Sequence, residues 1–178
     1  MSAQDIKLSF LRDGIDQIAV IVEDLDKAVE TYWNMLGIGP WTIYTYGKPL
    51  LKTARYRGQP ADPIFRIALA ALGSLGIELI ERVQAPTIYH DWVKAHGYGQ
   101  HHVGILVEDM GAALTEAREA GLAVIQEGTG FGLDGDGHFA YLDTEDALGM
   151  LVELIEVPKR RVAPDKIYPP PQDQESEA

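Results

Sequence analysis

The chain has 178 residues, of which 46% are apolar and 24% charged, and this suits one globular domain with a full hydrophobic core. Its 27 acidic and 15 basic residues give a formal charge of −12, so binding to nucleic acid or to an anionic membrane is not expected. The lack of cysteine excludes disulfides, a thiolate nucleophile and cysteine-ligated zinc. No apolar run approaches the ~18 residues of a membrane span and no secretory signal is visible, so a cytoplasmic location is expected.

The first half of the chain predicts a βαβββ module between about residues 14 and 83. Its first segment is apolar and rich in β-branched residues, as in a buried strand, and an aspartate then suits the N-cap of an amphipathic helix. The predicted elements are a strand at 15–22, a helix from the N-cap Asp24 to Gly37, strand and turn residues from 41 to 57, and strands at 64–72 and 77–83.

The same order is predicted again between about residues 100 and 157, after a connector with a short helix at 89–95. The elements of this second module are a strand at 102–107, a helix from the N-cap Asp109 to about Ala120, and strands at 122–126, 138–142 and 150–156. The Pro-rich acidic segment 158–178 predicts a tail that wraps the surface or stays disordered. The expected fold class is therefore α+β. A single domain over 1–157 would hold two tandem βαβββ modules that form a curled sheet cleft with helices outside.

The two modules share sequence motifs that carry polar residues at matching positions. Q-I-A-V-I-V-E-D at 17–24 is echoed by H-V-G-I-L-V-E-D at 102–109, and I-E-L-I-E at 77–81 is echoed by V-E-L-I-E at 152–156. Internal repeats of this kind are typical of one supersecondary unit used twice. The matching positions hold four potential metal ligands: Gln17, Glu78, His102 and Glu153.

These four side chains are expected to meet at the centre of the cleft and to bind a divalent ion. Alternate residues of a strand share a face, so two packed modules can turn all four donors towards one point. A carboxylate inside an apolar strand is costly unless it is paired or bound to a cation, and two facing carboxylates repel each other. A set of one imidazole, two carboxylates and one amide suits Zn, Ni, Co or Mn.

Two further histidines and one aspartate are weaker candidates for the site. His101 directly precedes His102, so it is expected to point to the opposite face, with a surface or hydrogen-bonding role. His138 lies on a predicted strand of the second module and is a candidate for lining the pocket. Asp62 is the one acidic residue between positions 31 and 77.

The paired motifs resemble the vicinal oxygen chelate superfamily of glyoxalases, bleomycin resistance proteins and extradiol dioxygenases. The resemblance covers roughly residues 14–157 and implies that the first and last strands of each module supply the metal ligands, which by position are Gln17, Glu78, His102 and Glu153. The order Gln–Glu–His–Glu is similar to that of eukaryotic glyoxalase I. The phrases L-G-I-G-P-W and G-Y-G-Q-H-H-V look more like the methylmalonyl-CoA epimerase-like branch. That branch usually has His in place of Gln17.

The resemblance implies a metal-dependent isomerase, epimerase or lyase that transfers a proton alpha to the carbonyl of a small acyl-thioester or keto compound. The epimerase branch takes its base from a glutamate between the helix and the fourth strand, yet residues 31–77 contain no glutamate. Glu153 or Glu78 is therefore expected to be the base as well as a metal ligand. The expected partners are a small-molecule substrate and, in a homodimer, a second copy of the chain.

Two alternative functions stay open at this point. One is a glyoxalase I-like lactoylglutathione lyase, which the order of the four ligands favours. The other is a non-catalytic small-molecule-binding protein of the bleomycin-resistance type. An extradiol dioxygenase is disfavoured, because non-haem iron oxygenases use two histidines and one carboxylate and this set contains one histidine.

Overall fold

The computed structural model describes residues 8–171, in which eleven strands form one strongly curled, open sheet shaped like a half-barrel. The fold is α+β, as the sequence predicts. The elements are, in chain order, β1 Gln17–Val22, α1 Leu25–Leu36, β2 Trp41–Tyr46, β3 Thr53–Tyr56, β4 Gln59–Pro60, β5 Ile64–Leu72, β6 Leu75–Gln84, α2 Ile88–His96, β7 Gly99–Leu106, α3 Met110–Glu119, β8 Val124–Phe131, β9 Gly137–Leu142, α4 Glu145–Leu148, β10 Leu151–Glu156 and β11 Lys166–Tyr168.

The sheet has an approximate internal twofold symmetry centred on the pair β1–β7. Its eight central strands lie in the order β2-β5-β6-β1-β7-β10-β9-β8, so each module contributes four strands and the first strands of the two modules meet. β1 pairs in parallel with β6, β7 pairs in parallel with β10, and β1 and β7 are antiparallel to each other. The predicted duplication of a βαβββ unit is confirmed.

The two module helices begin at matched N-caps, as predicted. The Asp24 carboxylate accepts a hydrogen bond from the backbone N–H of Lys27, and the Asp109 carboxylate accepts one from that of Ala112, each at 3.0 Å. α1 ends at Gly37, whose φ of 68° is a left-handed conformation that glycine adopts without a steric penalty. The same local signals therefore place the helix in both copies.

The hydrophobic core is divided between the two faces of the curled sheet. One apolar cluster packs beneath α1 and another beneath α3, on the convex face. The cluster on the concave face is largely aromatic, and α2 adds Ile88 and Tyr89 to it. The connector helix predicted at 89–95 thus covers part of the cleft, while the module helices lie outside.

Two short segments cross from one module to the edge of the other. The β3–β4 hairpin belongs to the first module but extends the sheet beyond β8 of the second. β11, from the segment after residue 158, pairs with β2 of the first module. This segment therefore wraps the surface up to residue 171, while the end of the predicted tail, 172–178, lies outside the described residues.

Two further details differ from the sequence prediction. β8 continues to Phe131, beyond the predicted 122–126, because it is paired on both sides by β9 and β3. The short α4 was not predicted, since four residues are too few to show a helical period. No helix within residues 8–171 combines the length and apolarity required to cross a membrane.

The equivalent N-caps, Asp24 of α1 and Asp109 of α3, should contribute equally to the free energy of unfolding. Asp24→Ala and Asp109→Ala should each lower the free energy of unfolding by about 1 kcal/mol, because each leaves backbone N–H groups of a first helical turn unpaired. Urea denaturation measures this, with Asp13→Ala, an exposed aspartate outside both helices, as the control. A loss confined to one module would contradict the equivalence of the two helices.

Candidate metal centre

The twofold symmetry brings the four predicted ligand residues to the seam of the sheet, which is the place where β1 and β7 of the two modules meet. The first module contributes Gln17 and Glu78, and the second contributes His102 and Glu153. Across the β1–β7 pair, Gln17 lies opposite Gly104 and His102 lies opposite Ala19. The two glutamates stand one strand further out, each in register with one of these small residues. A Cβ atom on Gly104 would lie only 3.0 Å from the Cβ of Gln17, so the absence of a side chain at Gly104 makes room for the side chain of Gln17.

Three of the four side chains form a compact buried group. The potential ligand atoms of Glu78, His102 and Glu153 all lie within 4.8 Å of one another. His102 Nε2 is 3.0 Å from Glu153 Oε2 and 3.4 Å from Glu78 Oε2. All three residues are buried: His102 is fully buried, and only 5% of the surface of Glu153 and 7% of that of Glu78 are exposed.

The geometry of this group fits a cation better than a hydrogen bond. Although His102 Nε2 lies close to both carboxylates, it makes no well-directed hydrogen bond to any residue in the range 8–171. Buried polar atoms normally have a partner, and two carboxylates with one imidazole are typical ligands of a divalent ion. The donor set therefore fits the predicted metal, whose presence stays a prediction.

Gln17, the fourth predicted ligand, contacts the group through Glu78. Its Nε2 donates a hydrogen bond of 3.0 Å to Glu78 Oε2. The amide would bind a cation only after a half-turn that presents Oε1 instead, because an amide nitrogen is a donor and not a ligand. The structure thus brings three predicted ligands together directly and places the fourth beside them as a hydrogen-bond donor.

A proton on His102 offsets part of the negative charge of the two carboxylates. Burial disfavours the imidazolium, but the Glu153 and Glu78 carboxylates outweigh burial and raise the pKa of His102 to about 9. Burial, helped by the nearby Glu153 carboxylate, raises the pKa of Glu78 above its ordinary value. A divalent ion could replace the proton on Nε2 as the positive charge that two buried carboxylates require.

His101 is buried against His102, so the predicted orientation towards the opposite face is wrong. The β1–β7 pairing shifts by one residue here: Ala19 pairs with His102 but Val20 pairs with Gln100, which leaves His101 as the extra residue of a β-bulge. The bulge breaks the alternation of side chains, and His101 Nδ1 lies 2.9 Å from His102 Nδ1. This hydrogen bond holds the His102 ring with Nε2 towards the carboxylates.

The two weaker candidates, His138 and Asp62, lie outside the cleft. Phe139 and Tyr141 of β9 face the cleft, so His138 faces the other side, where its Nε2 is 3.5 Å from Glu127 Oε2. The expectation that His138 lines the pocket is therefore wrong. Asp62 is exposed and borders a separate surface depression.

The buried group of Glu78, His102 and Glu153 borders an open cleft. The rings on its wall are Tyr46, Phe65, Tyr89, Phe131, Phe139 and Tyr141. Within the described part of the chain, the charged side chains on the wall are Glu78, Glu153 and Arg161, with His102 buried behind them. Sequence reasoning missed the rings because aromatic residues in strands read equally well as core, and it missed Arg161 because that residue follows the predicted domain end.

Comparison with known proteins identifies the family. The Glyoxalase/Bleomycin resistance protein/Dioxygenase superfamily matches residues 16–141, and the chain belongs to this superfamily. The resemblance to the vicinal oxygen chelate superfamily seen in the sequence is therefore confirmed. A comparison with curated proteins found no match.

Several solved structures share the fold. Methylmalonyl-CoA epimerase from Mycobacterium tuberculosis is 22% identical, with a TM-score of 0.61 over 89% of this chain and 97% of that one. A Streptomyces coelicolor methylmalonyl-CoA epimerase in complex with 2-nitronate-propionyl-CoA is 23% identical, with a TM-score of 0.58 over 80% and 95%. Hypothetical protein BH1468 from Bacillus halodurans C-125 is 21% identical, with a TM-score of 0.59 over 83% and 96%. At these identities the likeness establishes the fold.

The buried group predicts that metal binding depends on His102. The wild-type protein should bind about one divalent ion per chain, and His102→Asn should bind much less, because the variant lacks the imidazole ligand. Metal analysis after dialysis against Zn, Ni, Co or Mn measures this. His96→Asn, which alters a partly exposed histidine paired with Glu145, is the control and should retain the ion. Full metal content in His102→Asn would show that the ion binds elsewhere.

The raised pKa of His102 predicts that the metal-free protein loses stability as pH rises. The pKa of His102 is about 9 in the folded protein and ordinarily 6.5 in the unfolded chain. Protonation of His102 therefore stabilises the fold fully below pH 6.5, and this contribution is lost as the pH rises through about 9. The lost contribution is about 3 kcal/mol at most.

Urea denaturation in EDTA at pH 6 to 10 measures this decline, and His102→Asn should flatten it while His96→Asn should not. An equal decline in wild-type protein and His102→Asn would contradict the assignment of the proton to His102.

Proposed function

We propose that this protein is a metal-dependent isomerase or epimerase that transfers a proton alpha to the carbonyl of a small acyl-thioester or keto compound. The observation that carries the proposal is the pair of buried carboxylates, Glu78 and Glu153, which are related by the twofold symmetry and share one imidazole at the cleft. Membership of the superfamily and a fold shared with methylmalonyl-CoA epimerases support it.

The base is assigned to Glu78 or Glu153 by elimination. These are the carboxylates that line the cleft among residues 8–171. Burial raises the pKa values of Tyr46, Tyr89 and Tyr141 above the ordinary value for tyrosine, so these hydroxyls stay protonated near neutral pH. The hydroxyls of Tyr89 and Tyr141 are hydrogen-bonded to each other at 2.9 Å, and that of Tyr46 can donate to a bound carbonyl compound. None of the three is a good base.

The reaction requires one carboxylate to remove a proton and a carboxylic acid to return one. The base accepts the alpha proton, and the electron pair of the broken C–H bond moves towards the carbonyl oxygen to give an enolate. The carboxylic acid formed in this way returns a proton to the carbon, and return to the opposite face gives the epimer.

A divalent ion held by Glu78, His102 and Glu153 would supply positive charge that stabilises the negative charge developing on the substrate oxygen. Gln17 fixes Glu78 by donating to its Oε2, or completes the ligand set after its amide turns. A substrate packed against the aromatic wall would displace water from the site, which strengthens the electrostatic interactions there.

The proposed mechanism predicts that replacing one of the two glutamates with glutamine abolishes most of the catalysis while the protein still binds the metal ion. Glu78→Gln and Glu153→Gln keep the size and one donor oxygen but remove the basicity. At least one variant should keep the ion and slow exchange of the substrate's alpha proton roughly 10²–10⁴-fold. Exchange is measured as deuterium incorporation from D₂O, with acyl-thioesters of N-acetylcysteamine, keto acids and the hemithioacetal of glutathione and methylglyoxal as substrates.

Glu127→Gln is the matched control, because Glu127 lies on the other side of the sheet from the cleft residues and should be dispensable. Normal exchange in both test variants would place the base elsewhere. Turnover of the hemithioacetal alone would favour the glyoxalase I-like alternative. Tight binding of a compound without exchange of any proton in the wild-type protein would favour the non-catalytic alternative.

A further inference from the structure

The contact between His101 and His102 joins two ring nitrogens of the same kind, so one must donate a hydrogen bond and the other must accept it. The two Nδ1 atoms lie 2.9 Å apart, and neither residue is exposed to solvent. A neutral imidazole has one proton, and the hydrogen bonds of the ring decide which nitrogen holds it. The direction of this hydrogen bond therefore determines which nitrogen of His102 is free to bind an ion.

Binding of an ion at the buried group would make His102 the donor. Its Nε2 lies 3.0 Å from Glu153 Oε2 and 3.4 Å from Glu78 Oε2, so Nε2 is the nitrogen that faces the other predicted ligands. A neutral imidazole that binds an ion through Nε2 keeps its proton on Nδ1. The His102 Nδ1–H then donates, and the Nδ1 of His101 must be an unprotonated acceptor. The reverse direction would require His102 to bind the ion as an imidazolate.

The surroundings of His101 suit the tautomer that accepts on Nδ1 and has its proton on Nε2. The rings of Tyr89, Trp92 and Tyr141 surround it, with centroid distances of 5.4, 5.0 and 5.7 Å. Its Nε2 is buried and has no hydrogen-bond partner among residues 8–171. An N–H group interacts favourably with the electron-rich face of an aromatic ring, whereas the lone pair of a bare nitrogen does not. This enclosure therefore favours a proton on Nε2 and leaves Nδ1 to accept.

The β-bulge of β7 and the helix α2 together hold the His101 ring in this place. The bulge turns His101 to the same side as His102, whereas a regular strand would turn it to the opposite face. Tyr89 and Trp92, which pack against the ring, both belong to α2. His102 thus has the predicted ion site at Nε2 and a firmly packed acceptor at Nδ1.

We propose that His101 is a positioning residue for the predicted metal ligand His102. By accepting from the His102 Nδ1–H, it keeps the proton on Nδ1 and leaves Nε2 free for the ion. Metal-bound histidines usually donate their other ring N–H in this way, which fixes the ring and raises its basicity, and loss of the acceptor typically lowers metal affinity about 10–100-fold. The inference rests on the predicted metal centre and not on the proposed reaction, so it is tested without a substrate.

The test compares two variants of equal size that differ in the acceptor. Asparagine places an oxygen where His101 has Nδ1, whereas leucine places a methyl group there, and both remove the ring contacts with α2. The Kd for Zn(II) is measured by competition with a fluorescent chelator. His101→Leu should weaken binding about 10–100-fold, while His101→Asn should stay close to the wild-type protein. His138→Asn, on the other side of the sheet, is the matched control and should leave the Kd unchanged.

Nuclear magnetic resonance measures the two tautomers directly. Two-bond ¹H–¹⁵N correlation spectra of the Zn(II)-loaded wild-type protein, labelled at histidine, distinguish protonated, bare and metal-bound ring nitrogens. We expect a protonated Nδ1 and a metal-bound Nε2 in His102, and a bare Nδ1 and a protonated Nε2 in His101. In His101→Leu the His102 Nδ1–H resonance should move upfield, because its acceptor is lost, and in His101→Asn it should stay downfield.

Equal Kd values for the wild-type protein and His101→Leu would overturn the proposal. So would an equal loss of affinity in His101→Leu and His101→Asn, since it would show that the ring only fills space. If His101→Leu does not fold, the wild-type spectra decide, and a proton on His101 Nδ1 would overturn the proposal. A wild-type protein that binds no Zn(II) would overturn it together with the metal centre. Failure of the proposed isomerase activity affects none of these measurements, because no substrate is present.

Discussion

The structure depends on how two buried carboxylates are neutralised at one point. Glu78 and Glu153 approach the same imidazole nitrogen of His102 at the seam between the modules, where almost no solvent reaches them. Unpaired buried charges are costly, so this centre requires a positive partner. In the metal-free protein the proton on His102 supplies part of it, and a divalent ion held by the same three side chains would supply more positive charge.

The duplicated fold is what concentrates these groups. A single βαβββ unit would hold one polar residue and one glutamate on a half-exposed sheet, whereas two units joined through β1 and β7 bring both pairs to the symmetry axis. The halves have since diverged: His102 occupies the position that Gln17 has in the first module, so one copy offers an imidazole and the other an amide. That asymmetry gives the two glutamates different neighbours, since Gln17 donates to Glu78.

The fold and the three central residues could be predicted because they depend on local, repeated signals. Strand periodicity, matched aspartate caps and twin glutamate motifs each appear twice in the sequence. What could not be predicted depends on non-local pairing. His101 was expected on the opposite face, but a β-bulge has no side-chain period, and the partner that shifts its register lies some 80 residues away in β1. Arg161 lines the cleft from a segment that continues to β11, which pairs with β2 of the first module.

The central claim is that Glu78, His102 and Glu153 together hold one divalent ion. The most direct test is a crystal structure of the Co(II)-loaded protein with anomalous diffraction at the cobalt edge. One strong peak is expected where β1 and β7 meet, about 2.0–2.3 Å from His102 Nε2 and from an oxygen of each glutamate. If cobalt binds elsewhere on the protein and the seam shows no peak, the proposal is contradicted.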